Sequence, residues 1–166
     1  MTRRFTVSGM VAGATLALLV GCASDPGRVT LGSTRAEALQ QLGAPTAIYP
    51  SASGERLQYS RAPAGTEVNN VDLDASGLVV SVRQALDEGL FASTIQPGLW
   101  READVLRSYG RPFEVASVSS FDGVVWAWRY RAINERRLLY IYMDRQGVVQ
   151  RYGVADDLTL ERRELR

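Results

Sequence analysis

The side chains able to do covalent or proton chemistry are few. The 166-residue chain contains no His and a single cysteine, Cys22, and every one of its 19 basic residues is Arg. The commonest general base and the commonest metal ligand are therefore missing. The Ser-His, Ser-Lys and Cys-His pairs that activate nucleophiles are missing with them, and zinc held by Cys or His is excluded. What remains is carboxylate, Tyr, Ser and Thr. Carboxylates alone can hydrolyse a glycoside, but that reaction needs a facing pair, and no pair stands out by its spacing. Asp72-Leu73-Asp74 points two carboxylates to one side of a strand. The further oxygen ligands of a cation loop do not follow it, so it reads as a strand running into a turn. Asp156-Asp157 reads as a solvated strand end. No cofactor, metal or small-molecule substrate is expected.

The lone thiol sits where one particular chemistry uses it. Arg3 and Arg4 are followed by Val7 to Val20, an uncharged apolar or small stretch that ends in Leu19-Val20-Gly21-Cys22. The stretch is short for a membrane span and has the length of a signal-peptide apolar region. Its end resembles the lipobox of bacterial lipoproteins. That resemblance implies removal of residues 1–21 and a diacylglyceryl thioether on Cys22, the only thiol available. Ala23 follows where an inner-membrane retention signal would place Asp, which implies delivery to the outer membrane, on its periplasmic side. With Cys22 lipidated no disulfide is possible, and a domain of this size can fold without one.

The rest has the composition of an ordinary globular protein, 46% hydrophobic and 22% charged, with a net charge of +1 before Arg3 and Arg4 are removed. No field suited to nucleic acid exists.

Two stretches repeat each other. Gly32 to Pro45 matches Gly98 to Pro112, and Val71-Asp72-Leu73-Asp74-Ala75-Ser76-Gly77 matches Ile141-Tyr142-Met143-Asp144-Arg145-Gln146-Gly147. Between these blocks, Leu57-Gln58-Tyr59 pairs by pattern with Trp128-Arg129-Tyr130. In the first unit Thr34 and Glu37 make a capping box, Ala38, Leu39 and Leu42 share a helical face, and Gly43 with Pro45 stops the helix. In the second, Asp104, Val105, Leu106 and Tyr109 carry the helix and Gly110 with Pro112 ends it. A short extra helix is expected over Asp87 to Ile95, ended by Pro97-Gly98. Three strands follow each main helix: 55–61, 68–73 and 78–84, then 124–130, 138–143 and 148–154.

The predicted architecture is α+β: two tandem helix-plus-three-strand antiparallel meanders, with the helices on one face and the other face in water. The divisions are 1–21 signal peptide, 22–31 tether, 32–85 first repeat, 86–157 second repeat and 158–166 charged tail.

The second unit resembles the SmpA/OmlA (BamE-like) family of outer-membrane lipoproteins. The resemblance rests on Ile95-Gln96-Pro97-Gly98, Asp104-Val105, Tyr109-Gly110-Arg111-Pro112, Trp128-Arg129-Tyr130 and Gly147-Val148-Val149. The first unit keeps Gly32-Ser33-Thr34, Glu37-Ala38 and Leu42-Gly43-Ala44-Pro45. Two such units in tandem also resemble the β-lactamase inhibitor protein fold. The resemblance covers residues 32 to 155 and implies a non-catalytic scaffold in outer-membrane protein assembly or envelope integrity. An inhibitor of a periplasmic enzyme and a carboxylate-dependent, glycosidase-like hydrolase are the alternatives.

Strand parity locates a candidate surface. Trp126, Trp128 and Tyr130 alternate onto one face, as a core stripe does. Arg129, Arg131, Tyr140 and Tyr142 fall on the other, with Arg151 near them. Tyr and Arg are enriched at protein interfaces and their hot spots. These four residues are the expected contact for an envelope protein partner, with the membrane reached through the lipid on Cys22.

Overall fold

The computed structural model describes residues 28–133 and 135–157. Residues 1–21, read above as a signal peptide, Cys22 and the charged tail therefore lie outside the described residues. Eleven elements follow in order: α1 (Arg35–Leu42), β1 (Ala47–Ser51), β2 (Gly54–Ser60), β3 (Val68–Asp74), β4 (Val79–Gln84), α2 (Glu88–Thr94), α3 (Glu102–Tyr109), β5 (Glu114–Ala116), β6 (Gly123–Ala132), β7 (Glu135–Asp144) and β8 (Val149–Asp156).

The strands form two separate antiparallel four-stranded sheets, β1-β2-β3-β4 and β5-β6-β7-β8. The expectation of three strands per repeat is corrected to four. The strands that sequence reasoning missed are the edges β1 and β5. Neither of these two edge strands buries a residue, so neither carries an apolar signal. β1 even holds Pro50, which an edge tolerates because it need not donate to a neighbour there. β5 is three residues long.

Local chemistry starts and stops the helices. The Thr34 backbone N–H donates to the Glu37 carboxylate at 2.7 Å, and the Thr34 hydroxyl accepts from the Glu37 N–H at 3.3 Å. Glu37's carboxyl is held below its usual range by the bond from the Thr34 backbone N–H and by the Thr34 hydroxyl, which donates to it at 2.9 Å. In α3 the Asp104 carboxylate accepts from the Arg101 N–H at 2.9 Å. Gly43 and Gly110 close α1 and α3 at φ 78° and 66°, where a side chain is strained.

The repeats are in register at a different offset from the one the motif match indicates. Gly54 lies opposite Asp74, and Gly123 lies opposite Asp144, an offset of 69 residues for the second strand of each unit. Leu57 and Tyr59 thus correspond to Trp126 and Trp128, not to Trp128 and Tyr130. A two-residue slip keeps side-chain parity, so the faces survive the correction while the partners change.

The expectation that all helices cover one face and that the other side of each sheet meets water is overturned. α1 packs Ala38, Leu39 and Leu42 on Leu57, Val71, Leu73 and Val79 of the first sheet. α2 and α3 lie between the sheets. Phe91, Ile95, Val105 and Tyr109 pack on Trp126, Trp128, Tyr130, Leu139, Ile141 and Met143 of the second sheet, and Val68 joins them from the far face of the first. The order of layers is α1, first sheet, α2 with α3, second sheet. The cause is visible at the C-terminal end of α3, whose last carbonyls lack partners within the helix. Gln58 Nε2 donates to the Leu106 and Arg107 carbonyls at 3.2 and 3.1 Å. Asn70 Nδ2 donates to Ser108 O at 2.9 Å, and Arg56 Nη1 to Arg107 O at 3.3 Å. The far face of the first sheet is a receptor for a helix end, and Gln58 and Asn70 are buried in it.

Candidate protein-binding interface

Among the described residues, no helix lies on the corresponding face of the second sheet. Cross-strand register brings Ala127, Tyr140 and Gly153 into one row, and Val125, Tyr142 and Arg151 into the next. Arg129 lies opposite Leu138, and Arg131 opposite Arg136. Alternation thus places all four predicted contact residues on the face away from the buried Trp126, Trp128 and Tyr130. Arg131 is exposed; Arg129, Tyr140 and Tyr142 are half-buried.

Two clusters organise this surface. The guanidinium of Arg151 stacks 3.4 Å from the Tyr142 ring centroid, and Phe121 meets Tyr142 edge-on at 5.4 Å between centroids. Arg129 stacks 3.8 Å from the Phe113 centroid. Its Nε also donates to the Asp157 carboxylate at 3.2 Å, and the Asp157 side chain is 0% exposed. Asp157 is therefore a buried ion-pair partner and not the solvated end expected of it. A carboxylate taken out of water must be paired, so Arg129 holds the end of β8 as well as colouring the surface. Burial pushes the Tyr140 hydroxyl's ionisation up, and the nearby Glu114 carboxylate adds to that.

Phe113, Phe121 and Asp157 were missed by sequence reasoning. Phe113 and Phe121 lie outside the periodic stretches, in segments that fold back on the sheet. Nothing in their spacing announces that, although Phe113 follows directly on the helix stop at Gly110 to Pro112.

The carboxylates expected at turns are used there. Asp74 Oδ1 accepts from the Ser76 and Leu78 N–H groups at 2.9 and 3.0 Å, and Asp144 Oδ1 accepts from Gln146 and Val148 at 2.9 Å each. Asp72 makes a two-bond pair with Arg56 at 2.6 and 3.0 Å. An open cleft of about 450 Å³ is lined by Glu102, Asp122 and Asp144 among others. Asp144 is taken up by its turn and by Gln150, at 2.7 Å, while Asp122 pairs with Arg145 at 2.7 Å. Among the described residues no group of three metal-ligating side chains could hold a metal ion. No helix among them is long and apolar enough to cross a membrane.

No protein-family model matches the chain, and no curated protein matches it. Among solved structures it is similar to a DUF4309 family protein (YjgB) from Bacillus subtilis subsp. subtilis str. 168, at 10% identity. That match covers 75% of this chain and 79% of the other with a TM-score of 0.31, a likeness too slight to carry an argument.

Proposed function

We propose that the chain is a lipid-anchored envelope lipoprotein whose folded part is a non-catalytic protein-binding module. The outer face of its second sheet is the contact surface. One observation carries the reading: the matching face of the first sheet is occupied by α3, whereas this one displays stacked Tyr142, Phe121 and Arg151 with Tyr140 and Arg131 beside them. Aromatic and Arg side chains give large contact area at low entropic cost and dominate interface energetics. Binding is favoured over hydrolysis because two of the three acids lining the 450 Å³ cleft, Asp122 and Asp144, already serve an ion pair and a turn, which leaves Glu102 without a free carboxylate to work with. The lipobox-like Cys22 supports the membrane anchor, and the motifs shared with the SmpA/OmlA family support a place in outer-membrane protein assembly.

The test pairs two surface changes with one anchor change. Arg131→Ala combined with Tyr142→Ala is expected to leave the fold intact and to weaken crosslinking to envelope proteins, read by photo-crosslinking from the Tyr140 position in intact cells. A double variant that folds and still gives every adduct places the contact elsewhere. Cys22→Ala is expected to shift the protein from the membrane to the soluble fraction or to block its maturation. Unchanged fractionation together with an unchanged precursor mass removes the lipoprotein reading.

A further inference from the structure

The joint between α3 and the first sheet holds an acceptor that the fold does not use. Gln58 is 1% exposed. Its Nε2 faces three oxygens: Asn70 Oδ1 at 3.2 Å, Leu106 O at 3.2 Å and Arg107 O at 3.1 Å. Those partners fix which side of the amide is nitrogen. The other side, Oε1, accepts from no group among the described residues. A buried acceptor without a donor is costly, and native folds rarely keep one out of reach of water or a ligand.

Oε1 borders a cleft. A Cβ on Gly110 would stand 3.0 Å from it and 3.2 Å from Ser60 Oγ, so the bare glycine keeps that spot open. The cleft, of about 230 Å³, runs between β1, β2 and the end of α3, and Ala47, Tyr49, Gln58, Ser60, Leu106 and Arg111 line it. Arg111 carries the only formal charge on its wall. It is exposed and has no ion-pair partner among the described residues. The helix stop does not require an Arg there, since the first repeat has Ala44 between Gly43 and Pro45 at the matching place.

A ligand for this cleft must bring an anion for Arg111, an N–H for Gln58 Oε1 and an apolar body for Ala47, Leu106 and the Tyr49 ring. A carboxylate matches the planar fork of a guanidinium. The N–H must be neutral, because no acid on the wall would balance an ammonium beside Arg111. An apolar cavity of about 150 Å³ takes a benzene ring, so this cleft takes a body of one amino-acid residue. We infer that it binds the terminal carboxylate of an N-acylated aliphatic amino acid, free or at the end of a peptide. The site lies on the first sheet and does not depend on the contact surface proposed for the second.

Titrating the isotope-labelled full-length protein with N-acetyl-leucine tests this, read at the Gln58 side-chain amide and Arg111 Nε signals. Saturable shifts of both are expected. N-acetyl-leucinamide lacks the carboxylate and free leucine replaces the neutral N–H with an ammonium; each should bind roughly tenfold or more weakly. Arg111→Ala should weaken N-acetyl-leucine binding by a similar factor and melt like wild type, because the side chain is exposed and unpaired. Ala47→Leu fills the cleft, keeps Arg111 and should give the same loss. Acetyl-Ala-Ala-Leu separates the two sources. Tighter binding than N-acetyl-leucine assigns the site to polypeptide ends, and equal or weaker binding assigns it to free acylated amino acids. No saturable shift, equal affinity for leucinamide or free leucine, or indifference to Arg111→Ala overturns the inference and leaves the reading of the second sheet intact.

Discussion

The far faces of the two sheets share a register and differ in fate. On the first, Arg56, Gln58 and Asn70 take up the C-terminal carbonyls of α3 and disappear from solvent. On the second, the structurally matching positions are Val125, Ala127 and Tyr140, and among the described residues no helix lies on them, although Val125 and Ala127 are themselves buried. Polar receptor groups stand where a helix docks on the sheet; aromatic and small residues stand where, among the described residues, none does. A repeat protein whose units pack head to tail always leaves one terminal face without an internal partner. Either such a face is made inert with charge, or it is used. Here it carries stacked rings with Arg at the margins, which is the composition of a used face.

The sharpest way to break this comparison is to spoil the receptor. Gln58→Leu removes the buried donor that the Asn70 Oδ1 and the Leu106 and Arg107 carbonyls share, leaving Leu106 O only the Gly110 N–H and Arg107 O only the Arg56 guanidinium, and unfolding experiments should register a loss of about 2–3 kcal/mol. The matched change on the other face, Tyr140→Leu, should stay within about 0.5 kcal/mol, as ordinary surface substitutions do. Equal costs would mean that the two faces are not differently employed.

Next in size is Arg129→Ala. It removes the guanidinium from the buried Asp157 carboxylate, and denaturant titration should show a loss of about 2 kcal/mol. Arg131→Ala, on the same face and exposed, should show almost none. Arg129 is therefore a poor choice for a binding test, and a variant lacking it would confuse instability with lost contact.

The helix stops supply a smaller effect. Ala at Gly43 meets open space and carries only the penalty of its backbone conformation, about 1–3 kcal/mol. Ala at Gly110 also approaches Gln58 Oε1 at 3.0 Å and Ser60 Oγ at 3.2 Å, so Gly110→Ala should lower the melting temperature more than Gly43→Ala. The reverse order would show that the α3 end is not seated on the first sheet.

The finest test is alkaline. Burial pushes the Tyr109 and Tyr130 hydroxyls well above the ordinary tyrosine range, and the bond of Tyr130 to Glu88 at 2.6 Å adds to the shift. A folded-state value above the unfolded one means that their contribution to stability is complete below the unfolded value of about 10 and fades as pH rises beyond it. Absorbance at alkaline pH should show these two rings ionising only as the second-sheet core opens, in step with loss of near-ultraviolet dichroism. Ionisation of all seven tyrosines before unfolding would contradict the packing.

Much of this could be read in the residues alone because the signals are local. Thr34 with Glu37 and the glycine stops at 43 and 110 act within one turn of chain, and the Trp126–Trp128–Tyr130 stripe obeys a period of two wherever the strand is placed. Parity also put Arg129, Arg131, Tyr140 and Tyr142 on one face before any register was known, since a two-residue slip cannot change it. The edge strands β1 and β5 were invisible because, unlike the other two edges, they bury no residue at all. The tertiary structure alone decided what each face meets. Nothing local distinguishes Gln58, which caps a helix arriving from 48 residues along the chain, from Arg129, which pairs with Asp157 across 28. Such contacts form between segments whose spacing in sequence carries no information about their meeting. The sequence determined which side of each strand a residue occupies; only packing determined whether that side is interior, joint or surface.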